Sequence, residues 1–249
     1  MTTVFSRASN NDLFSTTSLY YKRIIELLAE GSMEYGKICE TLKVTKSSLW
    51  SGYLDELVKA GFITKSRSWN FKTGKVSQLV QYRLSDNYLR FYLKCIELNA
   101  ARIESGDFAF AEKDPSELPG WDTLMELQFE NLVLNNIKNI WEVLRISPSE
   151  VLMHGPFFQK KTQRQKGCQI DYLLETHSHT FIVGEIKFSR QAAALGLPLI
   201  ESVHQKIARL SIPQGYICWP VLIYVGEVSD SLRQAGFFSH FIDFSSLLF

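Results

Sequence analysis

Two carboxylates and one amine carry the chemistry that this chain advertises. Asp171 lies in the apolar run Gly167 to Glu175, and Glu185-Ile186-Lys187 lies in the next, Phe181 to Phe188. A short polar turn, His177-Ser178-His179, joins the two runs. Reflecting a hairpin about Ser178 puts Asp171 directly opposite Glu185, with Cβ atoms about 4.5–5.5 Å apart. Lys187 follows Glu185 by two residues, so it shares that face of the strand. Charges gathered among Val, Ile, Leu and Phe need compensation, either from a metal or from one another. A metal site and a plain structural ion pair are both open on these residues.

The composition narrows the class. At 249 residues, 45% hydrophobic and 21% charged, the chain is expected to build one large or two ordinary globular domains. No apolar run reaches the roughly 18 residues of a membrane span, and the polar start from Met1 to Asn11 is no signal peptide, so a cytoplasmic location is expected. Cys39, Cys95, Cys168 and Cys218 are scattered without a CxxC pair and are expected to be free thiols. No GxSxG or HExxH occurs. His177 and His179 fall in a turn, and His154, His204 and His240 lack a partner motif.

The net charge of +1 does not announce a nucleic-acid binder, but the distribution points to DNA. Leu57 to Ser85 contains no acid but holds Lys59, Lys65, Arg67, Lys72, Lys75 and Arg83. Val151 to Ile170 again contains no acid, while Lys160, Lys161, Arg164 and Lys166 crowd together. Charge-biased solvated loops are the competing explanation of each strip.

The elements that hold these residues can be read from periodicity and punctuation. Residues 1–14 form a polar leader. Helices are expected from Thr16 or Thr17 to about Glu30, from Glu34 to Leu42, and from Lys46 to Ala60, the last capped by Thr45 and stopped by Gly61. Two strands follow, Phe62 to Trp69 and Val76 to Leu84. Three short helices and a basic hairpin are the pattern of a winged helix-turn-helix over residues 15–85. Lys46, Ser47, Ser48, Trp50 and Ser51 would face a major groove, and the hairpin with Lys65, Arg67, Lys72 and Lys75 would touch the backbone. Such small domains also serve as protein-interaction modules.

A connecting helix from Asn87 to Glu104, capped by Ser85 or Asp86, carries an apolar stripe of Tyr88, Phe91, Tyr92, Cys95 and Leu98. A Pro- and Gly-bearing linker up to residue 119 completes the connection. The second domain, 120–249, then reads as a helix (Trp121 to Trp141), strands at Val151 to Gln159, Gly167 to Glu175 and Phe181 to Phe188, a helix (Leu199 to Leu210) and a strand (Pro220 to Val225). A helix and a short strand close the core. Runs such as Phe181-Ile182-Val183 suit a sheet covered on both faces.

This helix–strand–strand–strand–helix–strand order, with Asp171 on one strand and Glu185-Ile186-Lys187 on the next, resembles the PD-(D/E)xK nuclease superfamily. The Pro of that signature is missing, since Gln169 stands two residues before Asp171. A closer likeness rests on Tyr82-Arg83-Leu84-Ser85-Asp86-Asn87-Tyr88-Leu89-Arg90-Phe91-Tyr92, Phe129-Glu130, Gly155-Pro156-Phe157-Phe158-Gln159 and Gly184-Glu185-Ile186-Lys187-Phe188-Ser189-Arg190. These resemble the C-terminal region of archaeal-type P-loop ATPases with a DUF234 domain, from about Tyr20 to the end. No GxxxxGK[ST] is present, so no ATP site is expected.

The resemblance implies an α/β (α+β) chain, a winged helix followed by an αβββαβ restriction-endonuclease-like domain that cleaves or processes DNA with Mg²⁺ or Mn²⁺. Asp171, Glu185 and the Ile186 carbonyl would hold the metal. Lys187 would orient or deprotonate the attacking water, with its pKa lowered by the bound cation. Glu130 would be an extra acid beside the metal, with Gln169 and Gln205 bracing the ligands. Lys160, Lys161, Arg164 and Lys166 would clamp a strand. The alternative is a non-catalytic module that binds DNA, an ATPase in trans, or itself.

Overall fold

The computed structural model describes residues 16–106, 115–163, 165–189 and 194–247. The polar leader and Arg164 lie outside them. Helix α1 (Thr16–Ala29) buries Ile24, Ile25 and Leu28 at helical spacing. Strand β1 (Met33–Glu34) leads into α2 (Tyr35–Leu42), which buries Ile38 and Leu42 and ends at Lys43 in the left-handed region. Helix α3 (Ser48–Lys59) starts after Ser47, two residues past the expected cap. Strands β2 (Ile63–Trp69) and β3 (Val76–Leu84) follow, and β1 pairs with β3 to give the order β1-β3-β2.

The expected continuous helix from Asn87 to Glu104 is interrupted. Asp86 caps α4 (Asn87–Phe91) by accepting from the Leu89 N–H. A wide turn at Tyr92–Ile96 and a tight one at Glu97–Asn99 precede α5 (Ala100–Glu104). The changes of winding rotate the apolar stripe off one face. Tyr88 and Leu98, its two ends, are 71% and 75% exposed, while Cys95 is buried.

The long helix expected from Trp121 to Trp141 is also two helices, α6 (Trp121–Asn135) and α7 (Ile137–Val143). The break is at Asn136, whose side-chain amide donates to the Leu132 carbonyl and leaves the backbone out of helical geometry. Beyond it come β4 (Val151–Gln159), β5 (Cys168–Thr176), β6 (Thr180–Phe188), α8 (Pro198–Arg209), β7 (Ile217–Val225), α9 (Asp230–Gln234) and β8 (His240–Asp243). They build a five-stranded sheet in the order β4-β5-β6-β7-β8. β4, β5 and β6 are antiparallel, while β7 and β8 run parallel to β6.

Both faces of this sheet are covered, which explains why its strands are apolar on both sides. Phe129, Val133, Ile140 and Trp141 of α6 and α7 pack on Tyr172, Leu174, Ile182 and Ile223. On the opposite face, Val203 of α8 meets Leu222 and Tyr224, and Leu210, Trp69 and Phe71 meet Leu173, Phe181 and Val183. Among the described residues no helix is long and apolar enough to cross a membrane.

Trp69 and Phe71 belong to the tip of the β2–β3 hairpin. The chain forms two compact units, Met1–Lys65 with Gln81–Phe108 and Ser66–Val80 with Ala109–Phe249. The division therefore runs through the hairpin and not at residue 85. Three contacts account for it. Ser68 Oγ accepts from the Phe158 N–H at 2.8 Å and donates to the Phe158 carbonyl at 2.6 Å, as a neighbouring strand would. The Trp69 indole N–H donates to Glu175 Oε2 at 2.6 Å. Phe71 stacks on Phe157 with ring centroids 4.9 Å apart.

Candidate functional site

The β5–β6 register places the key residues as the turn symmetry requires. Tyr172 pairs with Gly184 and Glu175 with Phe181, both symmetric about Ser178, and the paired stretch ends one residue short of Asp171 and Glu185. The other side of β5 adds an irregularity. Gly155 pairs with Leu173 and Phe157 with Ile170, so Asp171 and Tyr172 together oppose the single residue Pro156. This is a β-bulge, a device that re-aims a side chain. Pro156 has no N–H to lose there, and a proline suits an edge strand at a bulge.

Four charged groups meet beside the bulge. Asp171 Oδ2 accepts from the Ile186 N–H at 3.0 Å. Glu185 Oε1 lies 3.1 Å from Lys187 Nζ and Oε2 lies 2.5 Å from Lys206 Nζ. Lys206 Nζ also reaches Asp171 Oδ1 at 3.4 Å, so one ammonium spans both carboxylates. Lys206 comes from α8, on the sheet face opposite α6 and α7. The Glu185 side chain is 3% exposed, Asp171 17%, Lys206 23% and Lys187 33%, so the cluster opens to solvent on the lysine side.

Burial pushes the Asp171 carboxyl above the usual carboxylate range, and the neighbouring Glu185 charge adds to the rise. Lys206, Lys187 and the Ile186 N–H oppose it without cancelling it. For Lys187, burial acts downward, but the charges of Glu185, Asp171 and Glu126 outweigh it and hold the amine above the ordinary lysine value. In this ion-pair cluster Lys187 is thus a firm cation. The expected lowering belongs to a bound metal's charge.

Asp171, Glu185 and Lys187 are brought together as expected, whereas Gln169 and Gln205 are exposed. From α6, the Glu126 charge acts on Lys187, and Glu130 lies one turn further along, half-buried. Gln205 is exposed and donates to Glu201 at 2.7 Å, so its neighbour Lys206 is the α8 residue in the cluster. Gln169 is exposed, one residue before Ile170 on β5.

In the first unit Lys46 and Ser47 are exposed, with Ser47 N–H donating to the Tyr35 hydroxyl at 3.0 Å. Trp50 does not face outward. It is 8% exposed and packs edge-on against Tyr20 and Tyr53, because it shares the buried face of α3 with Leu54 and Leu57. Lys65 is paired to Asp55 at 3.0 Å, while Arg67, Lys72, Lys75, Lys160, Lys161 and Lys166 are exposed.

Two carboxylates are hard oxygen donors of the kind Mg²⁺ and Mn²⁺ take, usually beside several waters. Among the described residues no group of three or more His, Cys, Asp and Glu side chains gathers. The donor chemistry fits a divalent ion, with Lys206 Nζ lying across the same oxygens. Lys206 was missed from the sequence. Its available signal was its place three residues after Val203 on an amphipathic helix, which turns it toward the sheet.

No known family model and no curated protein matches the chain. Among solved structures, a zinc-responsive MarR family member from Lactococcus lactis, ZitR, is similar over 55% of this chain and 78% of its own, at 17% identity and a TM-score of 0.26. A score that low carries no argument about fold or function.

Proposed function

We propose that the chain is a DNA-binding protein with a winged helix-turn-helix over residues 15–85 and, in its second unit, a PD-(D/E)xK-type phosphodiesterase site that works with Mg²⁺ or Mn²⁺. The observation that carries the reading is the meeting of Asp171, Glu185 and Lys187 at a bulged point of the β5–β6 hairpin, within a helix–strand–strand–strand–helix–strand order. The exposed Lys46, Lys72, Lys75, Lys161 and Lys166 support it as groups on the surface that phosphates can reach.

Asp171, Glu185 and the Ile186 carbonyl would hold the metal. When bound, it would supply a water acidic enough to attack at neutral pH and charge to offset the transition state. The Ile186 N–H fixes the Asp171 carboxylate through Oδ2, leaving Oδ1 as the oxygen that meets Lys206. Lys187, a third exposed and firmly protonated, offers N–H donors to a phosphoryl oxygen and neutralises its charge. Its role on this reading is electrostatic and orienting, not that of a base.

The test is nicking of supercoiled plasmid with Mg²⁺ by the wild type, Asp171→Ala and Lys187→Ala. Loss of about 10²-fold or more in each variant supports the reading. Equal nicking by all three marks a contaminant and overturns it. A second reading, a non-catalytic module that binds DNA or a partner ATPase, draws on Lys206. With Lys187 and Lys206 both in place, the two carboxylates are already charge-balanced. DNA binding with no Mg²⁺- or Mn²⁺-dependent nicking would favour that reading.

A further inference from the structure

Lys206 spans the two carboxylates that the reading above assigns to a divalent ion, and this inference rests on that reading. Its Nζ lies 2.5 Å from Glu185 Oε2 and 3.4 Å from Asp171 Oδ1. Glu185 is almost wholly removed from water, so its charge must be compensated inside the protein. Lys187 reaches only its Oε1, and Asp171 adds a second negative charge opposite. Without a further cation, two facing carboxylates would share one ammonium. Lys206 supplies that cation from a different element, α8. There its carbonyl accepts from the buried Cys168 thiol at 3.2 Å, and Leu210, at the C-terminal end of the helix, packs on the sheet. The base of the side chain is anchored, whereas the four-carbon stem and its partly exposed end can swing.

We propose that Lys206 is a built-in substitute cation, a positioning residue that keeps Asp171 and Glu185 converged when no divalent ion is bound and that must leave when one binds. Metal affinity is then set by competition between an ammonium and the ion for the same oxygens. The site is held open to Mg²⁺ or Mn²⁺ only at concentrations that displace the lysine. A purely structural Lys206 would stabilise the fold without this competition.

The test measures Mn²⁺ binding to the full chain by calorimetry and by the loss of the free-ion paramagnetic resonance signal. Removing the competing charge in Lys206→Met is expected to tighten Mn²⁺ binding by roughly tenfold or more. Lys206→Arg, which keeps the charge, is expected to bind as the wild type does. Unchanged or weaker binding in Lys206→Met overturns the proposal. A measurement on the wild type guards against a variant that fails to fold. Acetylation of Lys206 by an amine reagent, read by peptide mass spectrometry, should rise several-fold on adding Mn²⁺, because displacement frees the amine. Equal or reduced labelling overturns the proposal. The outcomes also separate the two claims. Metal-dependent nicking by wild type with no tightening in Lys206→Met sinks the substitute-cation role alone. Absence of Mn²⁺ binding in every protein sinks both.

Discussion

Asp171 is an acid that its surroundings make hard to ionise. Burial and the Glu185 charge raise its carboxyl above the usual range, so ionising it in the folded chain costs stability. That cost is absent in acid, grows as the pH climbs through the folded-state pKa, and is fully present above it. Asp171→Asn keeps an oxygen for the Ile186 N–H and removes the charge. It should therefore melt higher than the wild type at about pH 8, by roughly 2–4 °C for each kcal/mol recovered, with the gap closing toward about pH 4. Calorimetric scans across that range check it, and a lower midpoint at about pH 8 would refute the assignment. The convergence of Asp171, Glu185 and Lys187 was legible because a hairpin's period and turn fix its register. Lys206 was not, because contacts from another element have no fixed offset along the chain. Trp50 was misread although the signal was present. With Leu54 and Leu57 it makes an i, i+4, i+7 stripe, which outranks its position near the start of α3.

Among the elements, the hairpin tip keeps Arg67, Lys72 and Lys75 exposed and also takes on packing against the second sheet. Its basic residues drew the reading of a DNA backbone contact, whereas its aromatic ones decide its packing. Trp69→Ala should lower unfolding free energy by about 3–5 kcal/mol through lost burial, and it strands the buried Glu175 carboxylate without its indole donor. Trp69→Phe keeps most of the packing and isolates the hydrogen bond, for a loss of about 1–3 kcal/mol. Urea titration distinguishes the two, and an unchanged midpoint in Trp69→Phe would mean that the bond contributes little. Strand positions were read to within a few residues because apolar runs bounded by turns mark them. Helix continuity was read less well. Asn136 and the Tyr92–Ile96 turn break helices through local hydrogen bonding that hydrophobic spacing does not register. The bulge at Asp171 depends on Pro156 of the next strand and was not visible in β5 itself.

At the scale of the whole molecule, the second unit is built from two separated stretches, Ser66–Val80 and Ala109–Phe249. A fragment of residues 109–249 alone lacks the indole donor to Glu175 and the ring stacked on Phe157. It should bind a hydrophobic dye and lack a cooperative melt, and fusing residues 66–80 to it through a flexible linker should restore one. A fragment that melts cooperatively without that segment would show the tip to be dispensable. A unit that borrows a distant hairpin leaves no mark in composition. The 106 positions between Trp69 and Glu175 also set a clock during synthesis. At 5–20 residues per second the ribosome needs roughly 5–20 s to deliver the acceptor after the donor has been made. For that interval the nascent chain carries two large rings with nowhere to dock, and this is the stretch a chaperone would find first.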